Sequence, residues 1–192
     1  MKIILATTSL YRIQAFKFLG IDFESQPSNV DESQLERNNP EELVKELSKL
    51  KAGAVVKNYS DAIVIGFDSV GYFNGQILEK PKSKEEVFNR LKALSSNKHQ
   101  FYTGIYIINT GSGKTISRVV KTEMFMRDIS NDEINKYLDQ DSNYNTYALG
   151  YDPLENYSST FVKKIEGSYN NLTRGIPLEV IPELLLEIGY KN

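Results

Sequence analysis

The chain has 192 residues, 40% hydrophobic and 25% charged, with a net charge of −2, the size and composition of a folded globular protein. It holds no Cys, no Trp and one His, which excludes disulfide frameworks, thiol nucleophiles and Cys or His zinc clusters. Chemistry therefore falls to Asp, Glu, Lys, Arg, Ser, Thr and Tyr, and any metal should be a hard, oxygen-bound ion such as Mg²⁺ or Mn²⁺. The charge balance and the lack of a basic stripe argue against polymeric nucleic acid as a partner. No stretch nears the roughly 18–20 apolar residues of a membrane span, and residues 1–6 carry no signal-peptide pattern. A cytoplasmic protein is expected.

Residues 2–6 form an apolar run, as in a strand covered on both faces. Thr7, Thr8 and Ser9 make a polar turn. Ile13, Phe16 and Leu19 give residues 10–19 a helical face, which Gly20 stops. Residues 21–25 read as a short strand. Asn39-Pro40 opens a helix with Glu41 and Glu42 in its first turn and Leu43, Val44, Leu47 and Leu50 as its apolar face. Residues 62–66 predict a second buried strand, ending at Phe67-Asp68-Ser69. Asn74-Gly75 marks a tight hairpin within residues 70–78. Ser83 and Glu86 predict a capping box for a helix to about Ser95. Residues 101–109 and 115–127 read as long strands joined by a turn at 110–114. Ser130 and Glu133 cap another helix, residues 143–159 are irregular and Tyr-rich, residues 160–165 form a strand, and Pro177 opens a C-terminal helix ending at Gly189. This order predicts one α/β domain with a mixed, twisted sheet and flanking helices.

Gly113-Lys114-Thr115 imitates the end of a phosphate-binding loop. That motif needs a Gly where Ile108 stands and a helix after the Lys, so the hairpin turn is the reading adopted. His99, between a helix and a strand, reads as a solvated or capping residue. Four places carry candidate chemistry. Thr7-Thr8-Ser9 with Arg12 is either a phosphate anchor or an ordinary turn and cap with a surface Arg. Asp31-Glu32 is an acidic pair in a polar loop. Asp68, at the end of a buried strand, either serves a ligand site, holding a divalent ion or activating water, or forms a turn. Lys51 and Lys80 are phosphate clamps or surface charges. Together they describe phosphoryl chemistry with a divalent metal.

These residues carry a resemblance over nearly the whole chain to the Maf family of nucleoside triphosphate pyrophosphatases, which is related in fold to the inosine triphosphate pyrophosphatases. The family's A-S-x-S-P-R-R stands here as Ala6 to Arg12. Its D-E pair matches Asp31-Glu32, and its helix ending in K-A matches Lys51-Ala52. Its V-I-G-A-D-T-V and G-x-I-L-x-K-P match Val64 to Val70 and Gly75 to Pro81. The L-S, H and T-G segment matches Leu94-Ser95, His99 and Thr103-Gly104. The late I-x-G-x-Y-x-N and G-L-P match Ile165 to Asn171 and Gly175 to Pro177. The resemblance implies two lobes around a central cleft and a cytoplasmic homodimer dependent on Mg²⁺ (or Mn²⁺). It also implies hydrolysis of dTTP, UTP or non-canonical nucleotides between the α and β phosphates. By position, Ser9, Arg12, Lys51 and Lys80 would bind phosphate. Glu32 and Asp68 would hold the metal, with Asp68 orienting or deprotonating water.

The chain departs from the pattern in several places: Leu10 stands for the Pro of P-R, and Phe67 and Ser69 stand for the Ala and Thr of A-D-T, Ser69 keeping a hydroxyl. Tyr11 replaces an Arg, Ala148 replaces a Lys, and Glu155 replaces a Gln that helps select bases. Glu155 would then read a base N–H edge. Lys163, Lys164 or Arg174 would have to supply the missing positive charge. The alternative is a weakly active or inactive nucleotide-binding member with a regulatory role in cell division.

Overall fold

The computed structural model describes residues 1–191. The strands are β1 (Lys2–Ala6), β2 (Phe23–Ser25), β3 (Ala62–Phe73), β4 (Gln76–Leu78), β5 (Lys98–Asn109), β6 (Thr115–Met126) and β7 (Val162–Glu166). The helices are α1 (Leu10–Phe16), α2 (Pro40–Val56), α3 (Lys84–Leu94), α4 (Asn131–Gln140), α5 (Tyr169–Arg174) and α6 (Ile181–Glu187). Six strands run in the order β2-β1-β3-β5-β6-β7, and β4 pairs with the far end of β3. β1 is parallel to β2 and β3, while the pairs from β3 to β7 are antiparallel, so the sheet is mixed as expected. Among the described residues no helix is long and apolar enough to cross a membrane.

Both faces of β1 are covered, as its unbroken apolar run requires. Ile3 and Leu5 join Ala15 and Phe16 of α1 and Leu184 and Leu185 of α6. Ile4 and Ala6 face the other way, onto Ala52 and Val55 of α2. A second core lies at the far end of the long strands. There Phe101, Met124 and Met126 pack on Val87 and Leu91 of α3, Tyr137 of α4, and Leu149, Tyr151 and Phe161. The cleft runs between these two lobes.

Three expectations are corrected. β3 does not end near Gly66; it continues to Phe73, because β5 pairs with it from Ile63 to Tyr72 without a break. β1 stops opposite Gly66, so Asp68 sits inside a strand, just beyond its neighbour's end. Leu50 is 40% exposed, and Ser48, Ala52 and Val55 supply the inner face of α2 instead. His99 is buried rather than solvated, because β5 begins at Lys98 and its alternation turns His99 inward with Phe101. Its Nε2 lies 3.1 Å from the Tyr151 hydroxyl, and burial lowers its pKa to about 4.

The turn signals and one of the two capping boxes behave as read. Asn74 and Gly75 take φ of 48° and 80° in the tight turn, and residues 110–114 form the β5–β6 turn. Ser130 and Glu133 close a full capping box. At α3 the Ser83 hydroxyl caps Glu86 N–H, but Glu86 turns to the backbone N–H of Lys82. The short helix α5, which the sequence pattern did not announce, starts at a Ser168 cap and ends at Gly175 with φ 64°.

Two glycines set how closely α2 lies on the sheet. A Cβ on Gly66 would stand 2.1 Å from the Ser48 carbonyl oxygen, and one on Gly104 would stand 2.1 Å from that of Val44. The helix backbone rests directly on these positions. That close seat aims Lys51, one residue before Ala52, along β3.

Candidate active site

Period two along β3 divides the site between its faces. Ile63, Ile65 and Phe67 belong to the core under α1 and α6. The alternate positions, Val64 and Val70, pack toward α2. Asp68 shares the second set and meets Lys51 of α2; Ser69 shares the first and meets Arg12 of α1.

The Lys51 ammonium lies 2.5 Å from Asp68 Oδ1 and 3.0 Å from Glu32 Oε1. One cation therefore bridges two carboxylates from different parts of the chain. Asp68 is buried, and burial pushes its carboxyl above the ordinary value while Lys51 and Arg12 pull it back down. The neighbouring Asp31 is not part of this group: its Oδ1 accepts from Ser33 N–H in its own turn. Arg37 holds the Glu32 loop by donating to the Glu32 and Leu35 carbonyls and pairing with Glu79.

Arg12 is more deeply built in than a surface cap. Its Nε donates to the Gly175 carbonyl at 2.9 Å, its Nη1 to the Phe67 carbonyl at 3.3 Å and its Nη2 to Ser69 Oγ at 2.7 Å. Ser69 Oγ and Thr103 Oγ1 share a hydrogen bond of 2.6 Å. Burial lowers the Arg12 pKa and Asp68 opposes the change. The guanidinium thus ties α1 to β3 and to the turn after α5. Ser9 caps α1, its Oγ 3.5 Å from Arg12 N.

Two adjoining cavities share Ser9, Tyr11, Arg12, Lys80 and Thr146. The first is polar, lined also by Thr7, Thr8, Glu32 and Lys51. The second is more apolar, lined by Phe101, Tyr147, Leu149, Tyr151, Pro153 and Leu172, with Ser69, Asp152 and Thr173 among its polar members. Tyr11 and Tyr147 both line it, ring centroids 5.5 Å apart. The structure therefore brings Ser9, Arg12, Glu32, Lys51 and Lys80 to these cavities, while Asp68 lines neither and joins the group through its ion pair with Lys51.

Glu155 is placed elsewhere: it is exposed and lines neither cavity. Asp152, three residues earlier, does line one. The sequence does not single out Asp152 and Tyr147, because an irregular segment offers no period from which facing can be read, nor Thr173, whose helix α5 is too short to show one. No Lys replaces Ala148; its carbonyl accepts from Arg90 Nη1 at 2.6 Å, and Arg90 is also paired with Glu86. Of the three basic candidates, Arg174 alone lines a cavity, with its guanidinium 4.9 Å from the Phe18 ring centroid. Lys164 pairs with Glu166 on β7, and Lys163 is exposed.

Among the described residues no group of three or more His, Cys, Asp or Glu is arranged to hold a metal. What the site offers is two carboxylates, Glu32 and Asp68, converging on one ammonium. That donor set suits a hard divalent ion that keeps several waters and takes further oxygens from a bound phosphate. It does not suit zinc or a softer metal.

A profile of the family described as Maf-like protein matches residues 2–188. The chain belongs to that family. It is 35% identical over 188 residues to the dTTP/UTP pyrophosphatase of Syntrophus aciditrophicus (strain SB), covering 98% of this chain and 90% of that protein. It is 37% identical over 197 residues to the dTTP/UTP pyrophosphatase of Clostridium novyi (strain NT), covering 98% of each. The 7-methyl-GTP pyrophosphatase of Pseudoalteromonas translucida (strain TAC 125) is 33% identical over 187 residues, with 97% and 92% covered. A HAM1 protein from Coxiella burnetii shares the fold, with a TM-score of 0.53, 15% identity and 97% and 99% of the two chains covered.

Proposed function

We propose that the chain is a nucleoside triphosphate pyrophosphatase. Water attacks the α-phosphorus, the bridge between the α and β phosphates breaks, and the products are a nucleoside monophosphate and pyrophosphate. The observation that carries this reading is the cleft itself. Lys51 and Glu32 line a polar cavity, Asp68 pairs with Lys51 behind it, and an aromatic-walled cavity adjoins at Arg12 and Lys80. A triphosphate and a base need those two environments side by side. The names of the relatives point to the same reaction class.

In this reading Ser9, Arg12, Lys51 and Lys80 bind the phosphates. Asp68 positions the attacking water and accepts its proton, helped by a carboxyl that burial makes more basic. Glu32 and Asp68 are the residues that would hold Mg²⁺ or Mn²⁺. The ion would supply charge neutralisation on the phosphate oxygens. A cytoplasmic homodimer, each chain acting as one domain, completes the reading and rests on the family resemblance.

Pyrophosphate release from a panel of nucleoside triphosphates, with Asp68→Asn as the comparison, tests it. The wild type should turn over at least one nucleotide. The variant should lose turnover by orders of magnitude yet keep its melting temperature, since Lys51 retains Glu32 as a partner. Equal turnover in both proteins would remove Asp68 from the chemistry. The uncharged Ala148 position favours a second reading, nucleotide binding without turnover. Affinity without pyrophosphate release would select it.

A further inference from the structure

We infer that Asp152 selects the base, and that it favours a base presenting two adjacent N–H donors, the N1–H and 2-amino edge of guanine. The inference rests on the pyrophosphatase reading for its substrate and on the aromatic cavity for its geometry. That cavity, of about 140 Å³, lies next to the phosphate end and is walled by Tyr11, Tyr147, Phe101 and Leu172. That is below the roughly 300–1,000 Å³ of a pocket for a whole small molecule, so the cavity is matched to a base alone, with the sugar and phosphates left to the adjoining polar cavity.

Asp152 is the one acid lining this cavity among the described residues. It is 7% exposed, and its Oδ1 accepts from Leu154 N–H at 2.8 Å. Its backbone is held as well, the Asp152 carbonyl accepting from the buried Ser158 hydroxyl at 2.6 Å. A carboxylate only accepts hydrogen bonds. Buried at the wall of an aromatic slot, it rewards a ligand edge that only donates and penalises lone pairs brought against it.

The bases differ sharply on that test. Guanine offers two neighbouring donors, which a carboxylate can take together in a charge-assisted pair. Uracil and thymine offer one N–H flanked by two carbonyl oxygens, so the same approach brings lone pairs against negative charge. Adenine and cytosine offer one amino group beside a ring-nitrogen acceptor. The acid at 152 therefore separates guanine from the pyrimidines by chemistry. Glu155, exposed outside the cavity, has no such contact to make.

Specificity constants for GTP, dGTP, UTP, dTTP, ATP and CTP, measured for wild type and Asp152→Asn, test the assignment. Asn keeps an oxygen to accept Leu154 N–H, so the loop is retained, and melting temperature checks it. Wild type should prefer the guanine nucleotides. Asp152→Asn should lower their kcat/KM by roughly 10- to 100-fold, the worth of a charged hydrogen bond. UTP and dTTP, which match an amide donor–acceptor pair, should hold or gain. A wild-type preference for UTP or dTTP, or an equal fall for every base, would overturn it. Calorimetric titration with GMP and UMP gives a second readout that needs no turnover. If no triphosphate is hydrolysed, the pyrophosphatase reading fails and these affinities decide. A GMP preference lost in Asp152→Asn sustains the assignment, and equal affinities for GMP and UMP end it.

Discussion

Gly66→Ala should damage the active site from beneath, without touching any residue that meets the substrate. The added Cβ would lie 2.1 Å from the Ser48 carbonyl oxygen and 2.8 Å from Ala52 N. Both are helix backbone, so no side chain can rotate away. Ordinary contact begins near 3.4 Å, so α2 must retreat by about 1 Å. β3 cannot yield in the opposite direction, because Ile65 and Phe67 are packed on its other face. Overpacking of this kind costs about 1–3 kcal/mol, and this backbone clash belongs at the upper end. Lys51 moves with Ala52, away from Asp68. A shift of about 1 Å in a positioning group can cost roughly 100-fold in rate. Gly53→Ala is the control on the same helix. Nothing lies within 4 Å of its Cβ, so it should be neutral or stabilise by up to about 1 kcal/mol. Thermal melts and pyrophosphate release on both variants decide the matter. Gly66→Ala with wild-type stability and rate would refute the claim that this close seat sets the position of Lys51.

Two further predictions concern groups whose burial the structure defines. Arg12→Ala removes the donors to Gly175, Phe67 and Ser69, so it should lower both stability, by about 2–3 kcal/mol, and kcat/KM. Arg12→Lys should rescue neither fully, because an ammonium cannot span the three acceptors; a fully active Lys variant would show that charge alone suffices. His99 has its pKa lowered by burial from 6.5 to about 4. Between those values the unfolded chain binds the extra proton, so this stability is whole above pH 6.5 and drains away as pH falls toward 4. The loss should reach about 3 kcal/mol, visible in urea midpoints taken at several pH values. His99→Gln should flatten that slope, and an unchanged slope would place the proton uptake elsewhere.

What the sequence discloses follows from where its signals are local. The strand at 2–6, the Asn74-Gly75 turn and the Ser130 capping box each depend on a few neighbouring residues, and each appears in the fold. The extent of β3 was not legible, because Gly66 to Gly71 mixes two glycines with Asp68 and Ser69. Only pairing with β5 keeps that stretch extended. His99 is hidden for the same reason: its strand neighbours are polar, and its buried surroundings come from Met124, opposite it on β6, and Tyr151, both remote in sequence. Lys51, Glu32 and Asp68 could be named as candidates singly. Their meeting at one point depends on α2 sitting on two glycines, which no spacing along the chain reveals.

That meeting also explains why a lysine stands between two acids in a site proposed for a polyanion. In the free protein Lys51 offsets the negative charge of Glu32 and of the buried Asp68. Without it, Asp68 would be a poorly solvated carboxylate beside a like charge, an arrangement costly to any fold. When phosphate oxygens arrive they compete for the same ammonium. The further Lys51 turns toward them, the more the two carboxylates need another positive partner. Arg12 is already committed to three protein oxygens and cannot leave freely. Lys80 is exposed on the wall shared by both cavities and is better placed to follow the phosphates. On the proposed reading, Lys51 and the two acids exchange charge with the incoming phosphates, Lys80 follows them from the cavity wall, and Arg12 meets them from a position fixed by its three protein acceptors.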